Sequence, residues 1–253
     1  MALSSYYHSL KPFRKLFETA VPMLTYHKLG PRPRGVRLKG LYVSQKLFAQ
    51  QLAELREARF NATTVDKALF IAAGKSPRPV VLTFDDGFCN VFRHSLPLLA
   101  ENKFQAIEFL VADLIGRTNE WEQREGEISE PLMDAAQVRE WLAAGHEIGS
   151  HTLTHPHLTQ IPIDQAREEI SASKKKLEDL FGCPIQHFCY PFGDWNETVR
   201  DLVMAAGYRT ACTTAAGVNA PDESPYTLKR FTARYPSRGL AAMWSRMQMR
   251  LAS

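Results

Sequence analysis

Two acids stand side by side at the close of an apolar run, in Thr83-Phe84-Asp85-Asp86-Gly87, and two histidines stand four residues apart in His151-Thr152-Leu153-Thr154-His155. Adjacent carboxylates in one apolar pocket repel when both are ionised. A site that keeps both must give them different work, and a divalent cation bound by only one of them does so. One carboxylate and two imidazoles make an open metal set, with a position left for water, as in catalytic rather than structural sites. On a helical turn an i, i+4 histidine pair falls on one face, where both rings reach one ion. Plainer explanations exist for each element alone. Asp-Asp-Gly is good turn chemistry, and histidines ahead of Pro156 can be loop residues, as His157 is taken to be.

The elements that must position these residues favour the site. Val80-Val81-Leu82-Thr83-Phe84 is β-branched and aromatic, bounded by Pro77 and Pro79 before it and Gly87 after it, which is a strand signal. Its apolar residues are consecutive, as in a strand of a parallel sheet covered on both faces, so Asp85 and Asp86 fall at its C-terminal end, where barrel enzymes keep their chemistry. Gly145-His146-Glu147-Ile148-Gly149-Ser150 reads as a second short strand ending just before His151. Val21 to Tyr26 is an earlier strand leading into His27, and Gln105 to Val111 a further one. Helices are expected from Ser44 to Ala58, with Ser44 as cap, through Leu96, Leu98 and Leu99, through Val138, Trp141 and Leu142, and from Ile163 to Phe181. The Lys174-Lys175-Lys176 run is expected on a solvated face. Residues 113–131 are polar, with Gly116, Gly126 and Pro131, and read as an insertion able to contribute to a substrate groove. The alternation is that of an α/β protein. At 253 residues and 45% hydrophobic content, with no low-complexity divider, the chain suits one domain.

These residues resemble the NodB-like polysaccharide deacetylases, carbohydrate esterase family four, whose first two motifs are an Asp-Asp pair and a His-[Ser/Thr]-x-x-His element. The third motif is matched by Phe188-Cys189-Tyr190-Pro191-Phe192-Gly193 with Asp194-Trp195-Asn196, and similar segments extend from Pro22-Met23-Leu24-Thr25-Tyr26-His27 to Gly207-Tyr208-Arg209-Thr210 and the residues after it. The resemblance implies a single-domain, distorted (β/α)7 barrel over residues 20–240, with an N-terminal extension at 1–19 and an amphipathic tail at 241–253. It implies that Asp86, His151 and His155 bind one divalent metal, zinc above nickel, cobalt or manganese, and that Asp85 is the general base. The substrate implied is an N-acetylated amino sugar in a glycan or glycan precursor. By the same resemblance the Tyr190 N–H is the oxyanion donor, and Tyr190, Pro191, Phe192 and Trp195 contact substrate. Other acyl groups at the same site, an O-acetyl ester, an N-formyl group or a cyclic imide, stay open, as does a non-catalytic carbohydrate-binding descendant.

Two departures stand out. Cys189 occupies the position where many members carry an arginine that orients the catalytic aspartate, and no histidine follows His187 to serve as the usual acid. Leu228-Lys229-Arg230-Phe231 lies where the poly-N-acetylglucosamine deacetylase branch has a similar apolar-basic segment, and that branch also shows Tyr-Pro in the third motif. The same branch places an N-terminal Tyr-His at the site, and His27 has the near-neutral pKa an acid needs, so His27 is the candidate general acid. His8, His94, His146 and His187 are read as surface or packing residues.

The net charge of +4 comes with no basic domain or recognition motif, so no nucleic-acid partner is expected. Met1 to Ala20 lacks the unbroken apolar core of a leader, no run is long enough to span a bilayer, and Cys89, Cys183, Cys189 and Cys212 show no Cys-x-x-Cys spacing. A cytoplasmic location follows as the expectation, and with it a lipid-linked or nucleotide-linked precursor as substrate. Lys11 to Phe17 and Met243 to Leu251 mix basic and bulky apolar residues. Either is a candidate for peripheral contact with the inner membrane face, against the commoner fate of packing on its own domain. The sequence is silent on oligomeric state.

Overall fold

The computed structural model describes residues 6–70 and 77–235. Its strands, in chain order, are β1 (Tyr6–Tyr7), β2 (Val21–Tyr26), β3 (Lys28–Leu29), β4 (Tyr42–Val43), β5 (Phe60–Ala62), β6 (Arg78–Asp86), β7 (Ile107–Leu110), β8 (Glu147–Ser150), β9 (His187–Cys189), β10 (Thr210–Cys212), β11 (Val218–Asn219) and β12 (Phe231–Ala233). The α-helices are α1 (Arg14–Phe17), α2 (Gln45–Glu57), α3 (Val65–Phe70), α4 (Cys89–Asn102), α5 (Glu120–Arg124), α6 (Ala135–Ala143), α7 (Ile163–Phe181) and α8 (Glu197–Ala205).

The main sheet runs β1-β12-β2-β6-β7-β8-β9-β10, and each neighbouring pair is parallel. It is a curled half-barrel with helices, as a distorted barrel requires, with β1 and β10 at its edges. Parallel strands need crossovers, and the helices supply them while covering the sheet. The consecutive apolar run around residue 80 forms the long central strand β6, whose residues from Pro79 to Asp86 are all buried. α2 starts where expected: the Ser44 side chain accepts the Leu47 N–H at 3.2 Å. α6 opens with a full capping box between Asp134 and Gln137. Phe84 meets Trp141 of α6 edge-on at 5.8 Å, so the strand that carries the acids is packed from behind.

Residues from β1 to α1 belong to this core. Tyr7, Phe13 and Phe17 are buried, and Phe13 packs edge-on to Phe231 of β12 at 5.1 Å. Phe13 and Phe17 of the Lys11-to-Phe17 stretch therefore pack against the domain itself. The Met243-to-Leu251 stretch lies outside the described residues. Among the described residues no helix is long and apolar enough to cross a membrane, and the four cysteines are unpaired.

Candidate active site

The strand register sets the acids and the histidines level with one another. Asp85 and Asp86 pair with Phe109 and Leu110 on β7, and Leu110 pairs in turn with Ser150, so His151 emerges one residue past the end of β8. The chain does not then make the helical turn expected of the i, i+4 spacing. Thr152 (φ 68°) and His155 (φ 65°) are left-handed, and the Thr152 hydroxyl accepts the His155 N–H at 3.0 Å. Glu169 of α7 braces the loop by accepting the Leu153 and Thr154 N–H groups, each at 2.9 Å. A tight loop held by side chains thus does what a helix was expected to do. Asp86 is itself left-handed (φ 82°), so backbone strain gathers at these three positions.

Asp86, His151 and His155 are buried, and their ligand atoms lie within 4.8 Å of one another. Both histidine Nε2 atoms stand 3.4 Å from Asp86 Oδ1, a buried oxygen with no hydrogen-bond partner. Burial lowers the His155 pKa to about 4, which leaves a neutral imidazole. Burial also pushes the Asp86 carboxyl upward, but the facing imidazoles outweigh it and hold the group well below the usual carboxylate range. The Asp86 carboxylate with its unpartnered oxygen and the two facing imidazoles form a group that could hold a divalent ion. His151 Nδ1 is hydrogen-bonded to the Cys189 carbonyl at 2.7 Å, the outer contact that orients a metal-binding ring.

Asp85, whose carboxylate also lies within 4.8 Å of a His151 nitrogen, is held by an arginine from a distant part of the chain. Arg230 donates to both carboxylate oxygens at 2.8 Å, to Thr83 Oγ1 at 3.0 Å, to the Thr213 carbonyl at 3.0 Å and to Cys189 Sγ at 3.1 Å. Every donor of the guanidinium is used. The arginine that the third motif lacks is thus supplied just ahead of β12, with its tip against the sulfur of Cys189, the residue standing in the arginine's usual place. Burial works to raise the Asp85 pKa, yet Arg230 and His27 together hold it below its ordinary value. Sequence reasoning placed Arg230 in a basic segment and gave it no role. The available signal was an arginine between Leu228 and Phe231 in a strand-forming stretch, since a buried guanidinium demands a buried acid.

His27 lies beside the same carboxylate, Nε2 at 3.7 Å from Asp85 Oδ2, while its Nδ1 is buried without a partner. Burial lowers its pKa, with partial compensation from Asp85 and Asp86, so the resting ring is neutral. The third-motif residues divide. The Tyr190 N–H already donates to the Cys212 carbonyl at 3.1 Å, and the Tyr190 hydroxyl to the Tyr226 carbonyl at 3.1 Å. The N–H assigned above to the oxyanion thus serves the ladder between neighbouring strands; of the four residues expected at the substrate, Tyr190 and Pro191 are buried, and Phe192 and Trp195 are 44% and 37% exposed. Phe192, left-handed at φ 59°, stacks on His157 at 3.8 Å and stands edge-on to His155 at 4.5 Å.

Two groups near the site had no signal in sequence. Glu108 of β7 is fully buried and accepts the Gly87 N–H at 2.9 Å, supporting the turn after Asp86, and burial pushes its pKa well above the usual carboxyl range. Trp121, from the polar insertion, stacks on His155 at 4.5 Å. His146 and His187, expected as packing residues, are buried with pKa values lowered to about 4 by that burial.

The polysaccharide deacetylase family model matches residues 72–211, more than half of the chain. The chain belongs to the polysaccharide deacetylase family, whose members are carbohydrate-active hydrolases. YxkH of Bacillus subtilis is 26% identical over 213 residues, covering 83% of this chain and 70% of that one. A chitooligosaccharide deacetylase of Rhizobium leguminosarum bv. trifolii is 29% identical over 151 residues, which span 57% of this chain and 60% of the relative. Among solved structures, IcaB from Ammonifex degensii superposes with a TM-score of 0.74 at 26% identity, covering 89% of this chain and 97% of that one. The family and the barrel fold expected from the motifs are borne out.

Proposed function

We propose that the protein is a metal-dependent deacetylase that removes the N-acetyl group from an amino sugar in a glycan or a glycan precursor. One observation carries this reading: a buried Asp85 clamped by Arg230 and facing His27, beside the Asp86, His151 and His155 group. A scaffold or binding module gains nothing from burying a second carboxylate and a matching guanidinium there, since such pairs contribute little to net stability. The chitooligosaccharide deacetylase among the relatives supports the substrate class.

Asp86, His151 and His155 would hold a divalent ion, whose chemistry would be to lower the pKa of water to ~7 and to polarise the acyl carbonyl. Asp85 accepts the proton of the attacking water. Arg230 keeps the carboxylate ionised and aimed, a bidentate clamp that a lysine could not reproduce. His27, beside Asp85, takes over the proton that Asp85 has accepted and delivers it to the departing nitrogen as the C–N bond breaks. Phe192 and Trp195 present apolar faces on which a sugar ring can rest.

The test is acetate release from N-acetylated oligosaccharides and from nucleotide-linked and lipid-linked acetamido sugars, with zinc supplied and then removed by chelation. Asp85→Asn is expected to lower kcat by ~10²–10⁴ while zinc content stays at the wild-type level. Acetate release by that variant at the wild-type rate would remove Asp85 from the role of base.

A further inference from the structure

A second buried ionic cluster lies against the ligand set. Lys28, the residue after His27, is wholly buried, with Nζ 2.7 Å from Glu122 Oε2, 2.8 Å from Glu130 Oε2 and 4.3 Å from the ring centre of Phe88. Asn119 ties the two acids together: its side-chain amide donates to Glu122 Oε2 at 2.6 Å, and its carbonyl oxygen accepts the Glu130 N–H at 2.7 Å. Burying an ammonium costs several kcal/mol unless it is well paired. Here the acids outweigh that cost, and Lys28 stays charged.

The cluster gathers both arms of the insertion around α5, a helix of five residues and therefore too short to stand by itself. α5 presents Trp121, whose ring lies over His155 at 4.5 Å and 23°. The two histidines of the ligand set are thus oriented differently. His151 has the Cys189 carbonyl on its second nitrogen, whereas the second nitrogen of His155 is buried with no hydrogen-bond partner from another residue. A metal-binding histidine is ordinarily aligned through that nitrogen. Around His155 the alignment comes instead from ring contacts, Trp121 over its face and Phe192 at 75° to it.

We infer that Trp121, clamped in place by the Lys28–Glu122–Glu130 cluster, is a positioning residue that sets the His155 ring for metal binding in place of a hydrogen bond. The inference rests on the metal reading of the Asp86, His151 and His155 group, and it extends that site to a segment outside the family motifs.

Zinc and cobalt affinity, measured by chelator competition on the full chain without substrate, tests it. Trp121→Ala is expected to weaken binding by ~10–100-fold, the usual cost of removing an outer-shell contact, and Trp121→Phe to restore most of it. Trp121→Leu fills the space without a stacking face and should behave like Trp121→Ala. Lys28→Met should weaken binding similarly, and the Lys28→Met/Trp121→Ala double variant should show no further loss, as expected for two residues acting through one contact. Wild-type affinity in Trp121→Ala, or in Trp121→Leu, would overturn the stacking role. A wild-type chain that takes up neither ion would overturn the metal reading itself, a separate failure.

Discussion

At the scale of single residues, Asp85 and Asp86 are neighbours with opposite fates. Asp85 is clamped by Arg230 and Asp86 faces both histidines, while the Asp85 carboxylate also lies within 4.8 Å of a His151 nitrogen. Arg230→Met strips Asp85 of its counter-charge and is expected to cost about 3–5 kcal/mol in urea unfolding. The pH dependence follows from the direction of the Asp85 shift. Its pKa lies below the ordinary value in the folded protein. Its ionisation therefore stabilises the fold above the unfolded-state value and loses that effect as pH falls through the lower, folded value. Without Arg230 burial dominates, and the acid limb of the kcat/KM profile should move to higher pH; a limb that stays in place would show that another group sets the carboxylate. The pair of acids and the pair of histidines were legible in sequence because each is local. Arg230 was not, since it reaches Asp85 across 145 residues.

At the scale of elements, the site depends on how closely the strands approach. A β-carbon added at Gly149 would stand 2.5 Å from the Phe109 ring and 2.8 Å from the His187 carbonyl, and Phe109 in turn lies 5.8 Å from the Arg230 guanidinium. Gly149→Ala is accordingly expected to lose about 1–3 kcal/mol by overpacking and to lower kcat/KM with it, as thermal melts and acetate assays would show. The strands β2, β6 and β8 and the helix α7 could be read from apolar runs and helical periodicity. The loop from His151 to His155 could not. A four-residue spacing fits a helical turn and a braced loop equally well, and a left-handed threonine has no local preference that announces it. The same holds for the insertion: its polar composition marked it as irregular, but only the Lys28 contact shows why it holds still.

At the scale of the molecule, the sheet order brings the two ends of the described chain together. β12 lies between β1 and β2, so the strand that begins one residue after Arg230 is paired on both sides by N-terminal segments. Phe13 fills the layer beneath it against Tyr7, Phe17 and Phe231. Phe13→Ala is expected to cost about 3–5 kcal/mol in urea unfolding, and to reduce kcat more than KM, because Phe231 follows the residue that aims the base. Activity unchanged after normalising for the folded fraction would separate that edge from the site.

The sequence by itself determined the family, the principal strands and helices between Val21 and Phe181, and the two acids and two histidines as candidates, because those depend on local pattern and on short motifs. Only the tertiary structure decided what surrounds them: the arginine on Asp85, the occupied N–H of Tyr190, the loop that turns His155 inward and the tryptophan above it. Each of these is a contact between segments far apart in the chain, and the preferences of neighbouring residues do not encode such contacts.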